Sequence, residues 1–142
     1  ITAGAFFHDI GLKEIPAELR FKNRVEMTSD EVLMWECHAA KGVQLLSPLK
    51  WMTADVLRIV QEHHEVPNGQ GFPAKLRLDR MFPMAKVVSL ANIMAHDVFD
   101  GSNEKLPFQL ESFIQKIEHM YSTMYGTDLI KAARLIFRPK AD

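Results

Sequence analysis

His8-Asp9, His38, His63-His64 and Asn92 are the residues whose types and order could do chemistry in this 142-residue chain. Neutral imidazole and carboxylate are the ligands that first-row divalent metals prefer, and a paired site needs about this many donors. Four of the six histidines belong to the set. Asp9 brings two oxygens, which makes it the natural bridge between two metals roughly 3.5–4 Å apart and the candidate catalytic residue. Taken singly, each residue has a plainer reading. A lone histidine on an apolar face is usually a hydrogen-bonded core residue, and Asn92 alone is a buried amide. Together they form a polar cluster that is costly to bury unless something satisfies it. His96 and His119 lack this setting and read as surface residues.

The elements must bring these groups together across long stretches. The gaps are 29 residues from Asp9 to His38, 25 from His38 to His63 and 28 from His64 to Asn92. Each suits one helix plus a connection, so each ligand can come from a different helix of one bundle. A first helix is expected to end near Gly11, with Pro16 opening a short next segment. Neighbouring helical residues point about 100° apart, so Asp9 can join His8 only near that helix end. Thr28-Ser29-Asp30-Glu31 is a capping box, opening a helix that carries Val32, Trp35 and His38, with Gly42 one turn beyond. Pro48 breaks the pattern. Met52, Val56, Ile59 and His63 then share one face. Pro67 disfavours helical geometry at Val66, so that helix should end just past His63-His64, where Glu65 is placed to hold a ligating imidazole. Residues 65–82, crowded with Pro67, Asn68, Gly69, Gly71 and Pro73, cannot be regular helix. A further helix starts near Pro83, with Ala85, Val88, Asn92 and Ala95 on one side, and a polar break follows at Asp100–Asn103. Leu110, Phe113, Ile117, Tyr121 and Met124 outline another helix, and Thr127 caps a last one through Ile136. The expectation is an all-α bundle of about five to seven helices, forming one domain over residues 1–142.

Composition narrows the function classes. A net charge of −1, with scattered Lys and Arg, argues against a nucleic-acid polymer as partner. No apolar run reaches the roughly 18 residues of a membrane span. The single cysteine, Cys37, cannot form an internal disulfide and reads as a small residue packed in a helix rather than a nucleophile. The apolar start, Ile1 to Phe7, lacks a cap and reads as the middle of a chain, so the sequence is taken as the C-terminal part of a longer one.

The same residues carry a family resemblance. His8-Asp9-Ile10-Gly11, Ile15-Pro16, His38-Ala39-Ala40-Lys41-Gly42, His63-His64-Glu65 and Asn68-Gly69-Gln70-Gly71-Phe72-Pro73 resemble, in this order, the HDIG, IP, HxxxG, HHE and DGxGYP motifs of HD-GYP domains. These form a bacterial branch of the HD phosphohydrolase superfamily that hydrolyses cyclic di-GMP. The resemblance covers roughly residues 1–100. It implies a helical bundle and two divalent metal ions, iron preferred and manganese second. It also implies that His8 and Asp9 serve the first metal, with Asn92 at the position of its last ligand, and that Asp9, His38, His63 and His64 serve the second. Substrate would be met by Asn68, Gly69, Gly71 and Phe72. A regulatory or diguanylate-cyclase-type protein would dock on the Gly-rich loop, in the bacterial cytoplasm.

The sequence also departs from that pattern. Leu12 stands where the family has a phosphate-contacting lysine, and Lys13, one place later, would face elsewhere. Phe72 replaces the GYP tyrosine, keeping a ring able to pack against guanine. Asn68 and Asn92 replace aspartates, and the RPYR-like segment that follows in the family is absent. The expectation is therefore a cyclic di-GMP phosphodiesterase domain with weak or lost activity. The alternatives are an inactive metal- and nucleotide-binding signalling module and a generic HD nucleotide phosphohydrolase, though the latter leaves the HHE and GxGFP elements unexplained.

Overall fold

The computed structural model describes residues 1–99, 110–121 and 125–136. Among these the chain is helical and contains no strand, only an isolated bridge between Asn68 and Arg77. The α-helices are α1 (Thr2–Phe7), α2 (Ala17–Arg20), α3 (Ser29–Glu36), α4 (His38–Leu46), α5 (Ala54–Glu62), α6 (Pro83–Phe99), α7 (Leu110–Tyr121) and α8 (Thr127–Ile136). Short 3-10 helices cover Ile10–Glu14 and Arg24–Glu26. Cys37 alone separates α3 from α4, so the pair is one helix interrupted at a single residue. The expected all-α class holds.

Local chemistry accounts for most boundaries. Both halves of the capping box are present: Glu31 N–H donates to Thr28 Oγ1 and Thr28 N–H to the Glu31 carboxylate. The Thr53 hydroxyl caps α5 by accepting from Val56 N–H. Pro16 precedes α2 as expected. Three expectations change. The first helix stops at Phe7, four residues short of Gly11, and the chain tightens into the 3-10 helix from Ile10. The helix carrying Trp35 and His38 is broken between them. Cys37, at that break, is exposed rather than packed.

The chain forms two compact units, Ile1–Ser89 and Leu90–Asp142. In the first, α4 packs against the 3-10 helix Ile10–Glu14 and against α5, and α5 also carries α1. The approach is close enough to need glycine. A Cβ on Gly11 would stand 1.9 Å from the His38 carbonyl oxygen and 2.6 Å from Gly42 N. Ile15, Ala39, Ile59 and Val60 fill the space between these elements at 1% exposure or less, burial that supplies most of the driving force. In the second unit, Leu90, Phe113, Ile114, Ile117, Tyr125 and Ile130 form one apolar cluster. Phe113 and Ile117 are thus inward as the periodicity requires, and His96 and His119 are exposed. The polar break at 100–103 and Met124 lie outside the described residues.

Candidate metal centre

Three histidines share one local arrangement. His8 Nδ1 lies 2.6 Å from the Ala5 carbonyl oxygen, His38 Nδ1 2.8 Å from that of Trp35, and His63 Nδ1 2.7 Å from that of Val60. Each acceptor sits three residues back, on the last turn of α1, α3 or α5. A carbonyl only accepts, so each Nδ1 carries the proton, and in the neutral ring each Nε2 presents a lone pair. Helix ends supply both the leftover carbonyl and the position from which the ring turns inward.

All three Nε2 atoms converge on Asp9. His8 Nε2 is 3.2 Å from Asp9 Oδ2, while His38 Nε2 and His63 Nε2 are each 3.4 Å from Oδ1. The last two nitrogens stand 3.2 Å apart. At 3.4 Å the contacts to Oδ1 are charge–dipole in kind rather than aligned hydrogen bonds, and this buried oxygen accepts no hydrogen bond among the described residues. Two imidazole lone pairs and a carboxylate oxygen facing one another repel unless a cation or added protons lie between them. Asp9, His38, His63 and His64 each offer a ligand atom within 4.8 Å of the others. The residues present fit a divalent metal.

Asp9 reaches this position from outside regular helix. Its backbone (φ −99°, ψ 8°) lies between the end of α1 and the 3-10 helix, so the carboxylate leaves the direction a continuing helix would impose. Burial pushes its pKa up, but the His38, His63 and His8 rings, when they carry a second proton and donate Nε2–H toward it, more than reverse this and hold the carboxyl ionised. Asp9 raises the His8 pKa in return, against the lowering effect of burial. Burial lowers that of His63, with Asp9 opposing.

These shifts have opposite consequences for metal-free protein. His8, with its raised pKa, contributes stability below about 6.5 that is lost as pH rises through its folded pKa. His63, with its lowered pKa, penalises folding as pH falls below about 6.5, because the unfolded chain takes the proton first. Chelator-treated His8→Ala protein is therefore expected to lose more melting temperature between about pH 7.5 and 5.5 than the wild type does. Equal losses would contradict the assignment.

His64 is built into an aromatic wall. Phe72 stacks on it at 4.4 Å and 24°, and Trp35 stands 5.3 Å from His64 and 4.7 Å from His38. Phe72 is only 6% exposed, and its ring backs His64. Glu65 also differs. Its buried carboxylate accepts from Ala74 N–H (2.6 Å) and Leu76 N–H (2.7 Å), tying down the following loop instead of an imidazole. Glu62 does the same for Phe82 N–H at 2.6 Å.

The loop residues expected at the substrate shape the loop itself. Asn68 closes a turn onto Gln70, with Gln70 N–H donating to its Oδ1 at 3.0 Å. Gly69 adopts φ +79°, and a Cβ on Gly71 would come within 2.5 Å of the backbone at His64, Glu65 and Val66. Gly71 is thus what lets the loop lie against the His64–Val66 segment. Leu12 is half-buried and Lys13 exposed, its ammonium 3.7 Å from Glu14. Asn92 is half-buried on α6, in the second unit.

Trp35 and Arg24 were not anticipated as parts of the site. Trp35 was legible, since it precedes His38 by one helical turn and supplies the carbonyl that orients it. Nothing in the sequence pattern pointed to Arg24, whose guanidinium lies over Phe72 and Trp35.

The HD-domain family model matches residues 1–129. The chain belongs to this family. HD domains hold divalent metals and act on nucleotides as phosphohydrolases, and the cluster around Asp9 sits on the family's namesake His-Asp pair. No curated protein matches the chain. Among the described residues of this HD domain no helix is long and apolar enough to cross a membrane.

Proposed function

We propose that this HD domain is of the HD-GYP type and acts on cyclic di-GMP, with turnover attenuated by its own substitutions. The observation that carries the reading is the convergence of three imidazole Nε2 atoms on the two oxygens of one carboxylate. In it, Asp9 would bridge two divalent cations, iron first and manganese second. Asp9 with His38, His63 and His64 would hold one, and Asp9 with His8 would serve the other. Bound there, such ions supply Lewis acidity toward a phosphoryl oxygen and lower the pKa of water.

The chain's own residues determine how well that chemistry runs. Asp9 and the histidines fix the position of the reacting phosphate relative to the ligands. Gly71 lets the loop lie beside His64 and Glu65 fastens its continuation at Ala74 and Leu76, so the loop would form one wall of the substrate site and a surface for a regulatory protein. Leu12 brings no charge to the phosphate, a loss worth on the order of a hundredfold in rate. By the resemblance, Asn92 stands where the family has a metal-binding aspartate, and it brings no negative charge.

The competing reading is a metal- and nucleotide-binding module without turnover, favoured by Leu12, Asn92 and the burial of Phe72. One experiment separates them: metal analysis of protein purified without oxygen, paired with a cyclic di-GMP turnover assay. Iron or manganese is expected, with turnover well below about 1 per second. Leu12→Lys with Asn92→Asp should raise turnover by roughly a hundredfold. A zinc-only protein contradicts the metal assignment, and wild-type turnover of about 1–1,000 per second contradicts the attenuation. Hydrolysis of other nucleotides in preference would favour a generic HD phosphohydrolase.

A further inference from the structure

The wall that covers His64 and His38 carries a cation on its outer side. Arg24 Cζ lies 5.2 Å from the centroid of Phe72, which stacks on His64, and 5.7 Å from that of Trp35, which packs edge-on against His38. One guanidinium is thus a single ring away from two residues of the metal cluster. Two aromatic faces hold its plane, and its side chain keeps 49% exposure to solvent.

The other cations of residues 10–41 are committed elsewhere. Lys22 Nζ reaches both Glu31 oxygens at 2.8 Å, Lys41 Nζ donates to the Glu14 carbonyl at 2.9 Å, and Lys13 lies beside Glu14. Arg20 spends its donors on the Ile15 and Lys13 carbonyls. Arg24 uses only Nη2, on Glu36. Its other N–H groups have no partner among the described residues, and the second Nη2–H, with the N–H beside it, leaves one planar fork that matches two phosphate oxygens.

We propose that Arg24 is a phosphate-contacting residue of this centre, binding the anionic oxygens of a phosphodiester from the aromatic side. The assignment rests on the phosphodiesterase reading above. It supplies a positive charge that Leu12 does not bring. Glu36 then acts as the tether that keeps the fork oriented when no substrate is present.

Titration calorimetry of the metal-loaded protein tests this with two probes, cyclic di-GMP and bis(4-nitrophenyl) phosphate. Arg24→Met should weaken binding of phosphodiester by about 10- to 100-fold, the worth of a charge-assisted pair, with metal content and melting temperature unchanged. Arg24→Lys keeps the charge without the fork and should fall between. The wild type should also show the steeper loss of affinity with salt. Unchanged affinity in Arg24→Met overturns the inference and leaves the proposed function standing. Loss of metal in that variant also overturns it, making Arg24 a support of the ligands. Arg24-dependent binding of the synthetic diester without cyclic di-GMP binding upholds the inference and overturns the cyclic di-GMP reading. A wild type that binds neither overturns both.

Discussion

Asp9→Asn is expected to strip the protein of its metal while leaving it folded. The substitution keeps the size of the side chain and removes the negative charge on which His8, His38 and His63 converge. An amide offers one neutral oxygen, and its NH2 must then face one of the imidazole lone pairs, since every Nδ1 is already committed to a backbone carbonyl. Replacing a group that merely orients a ligand costs 10- to 100-fold in metal affinity, so losing the shared carboxylate should cost about a hundredfold or more. The measurement is metal content by elemental analysis after dialysis, with circular dichroism to confirm the helices. Full wild-type metal content in Asp9→Asn would sink the centre as described, and with it any two-metal chemistry.

The largest expected effect on stability comes from a methyl group. Gly11→Ala would place its Cβ 1.9 Å from the His38 carbonyl oxygen, 2.6 Å from Gly42 N and 2.9 Å from the His38 carbonyl carbon. All three are backbone atoms of α4, so no rotamer change relieves the clash; the 3-10 helix must move away from α4. Overpacking usually costs about 1–3 kcal/mol, and a clash confined to backbone should lie at or above the top of that range. The same displacement separates Asp9 from His38, so metal content should fall together with the melting temperature. Gly42→Ala is the control. Its Cβ would meet the Val60 side chain at 2.9 Å, which can give, and the loss should be smaller. A Gly11→Ala protein within about 0.5 kcal/mol of wild type would show that this packing is looser than the geometry implies.

Much of this molecule can be read before it folds. The order His8-Asp9, His38, His63-His64 named the residues that converge, because imidazole and carboxylate are metal-preferring groups and the gaps between them suit helices. Thr28 to Glu31 named a helix start, because a capping box is a local hydrogen-bond pattern that needs no tertiary partner. The 3.6-residue periodicity placed Ile59 and His63 on one buried face for the same reason.

What tertiary structure decided lies where two segments meet. The first helix ends at Phe7 rather than near Gly11 because Ile10–Glu14 must lie flat against α4, and only a tightened turn without a Cβ at Gly11 lets it. Glu65 beside two histidines reads as an imidazole's partner. Instead, the Ala74 and Leu76 N–H groups of the following loop donate to its buried carboxylate. Phe72 stacks on His64, a contact that no local pattern in the sequence sets. Arg24 lies 14 residues before His38 and carries no motif, so its place over the aromatic wall is set by the path of the chain from α2 into α3. Residue type and local periodicity determine which groups can act. Distances between groups remote in sequence are set by packing, and packing determines which of them meet.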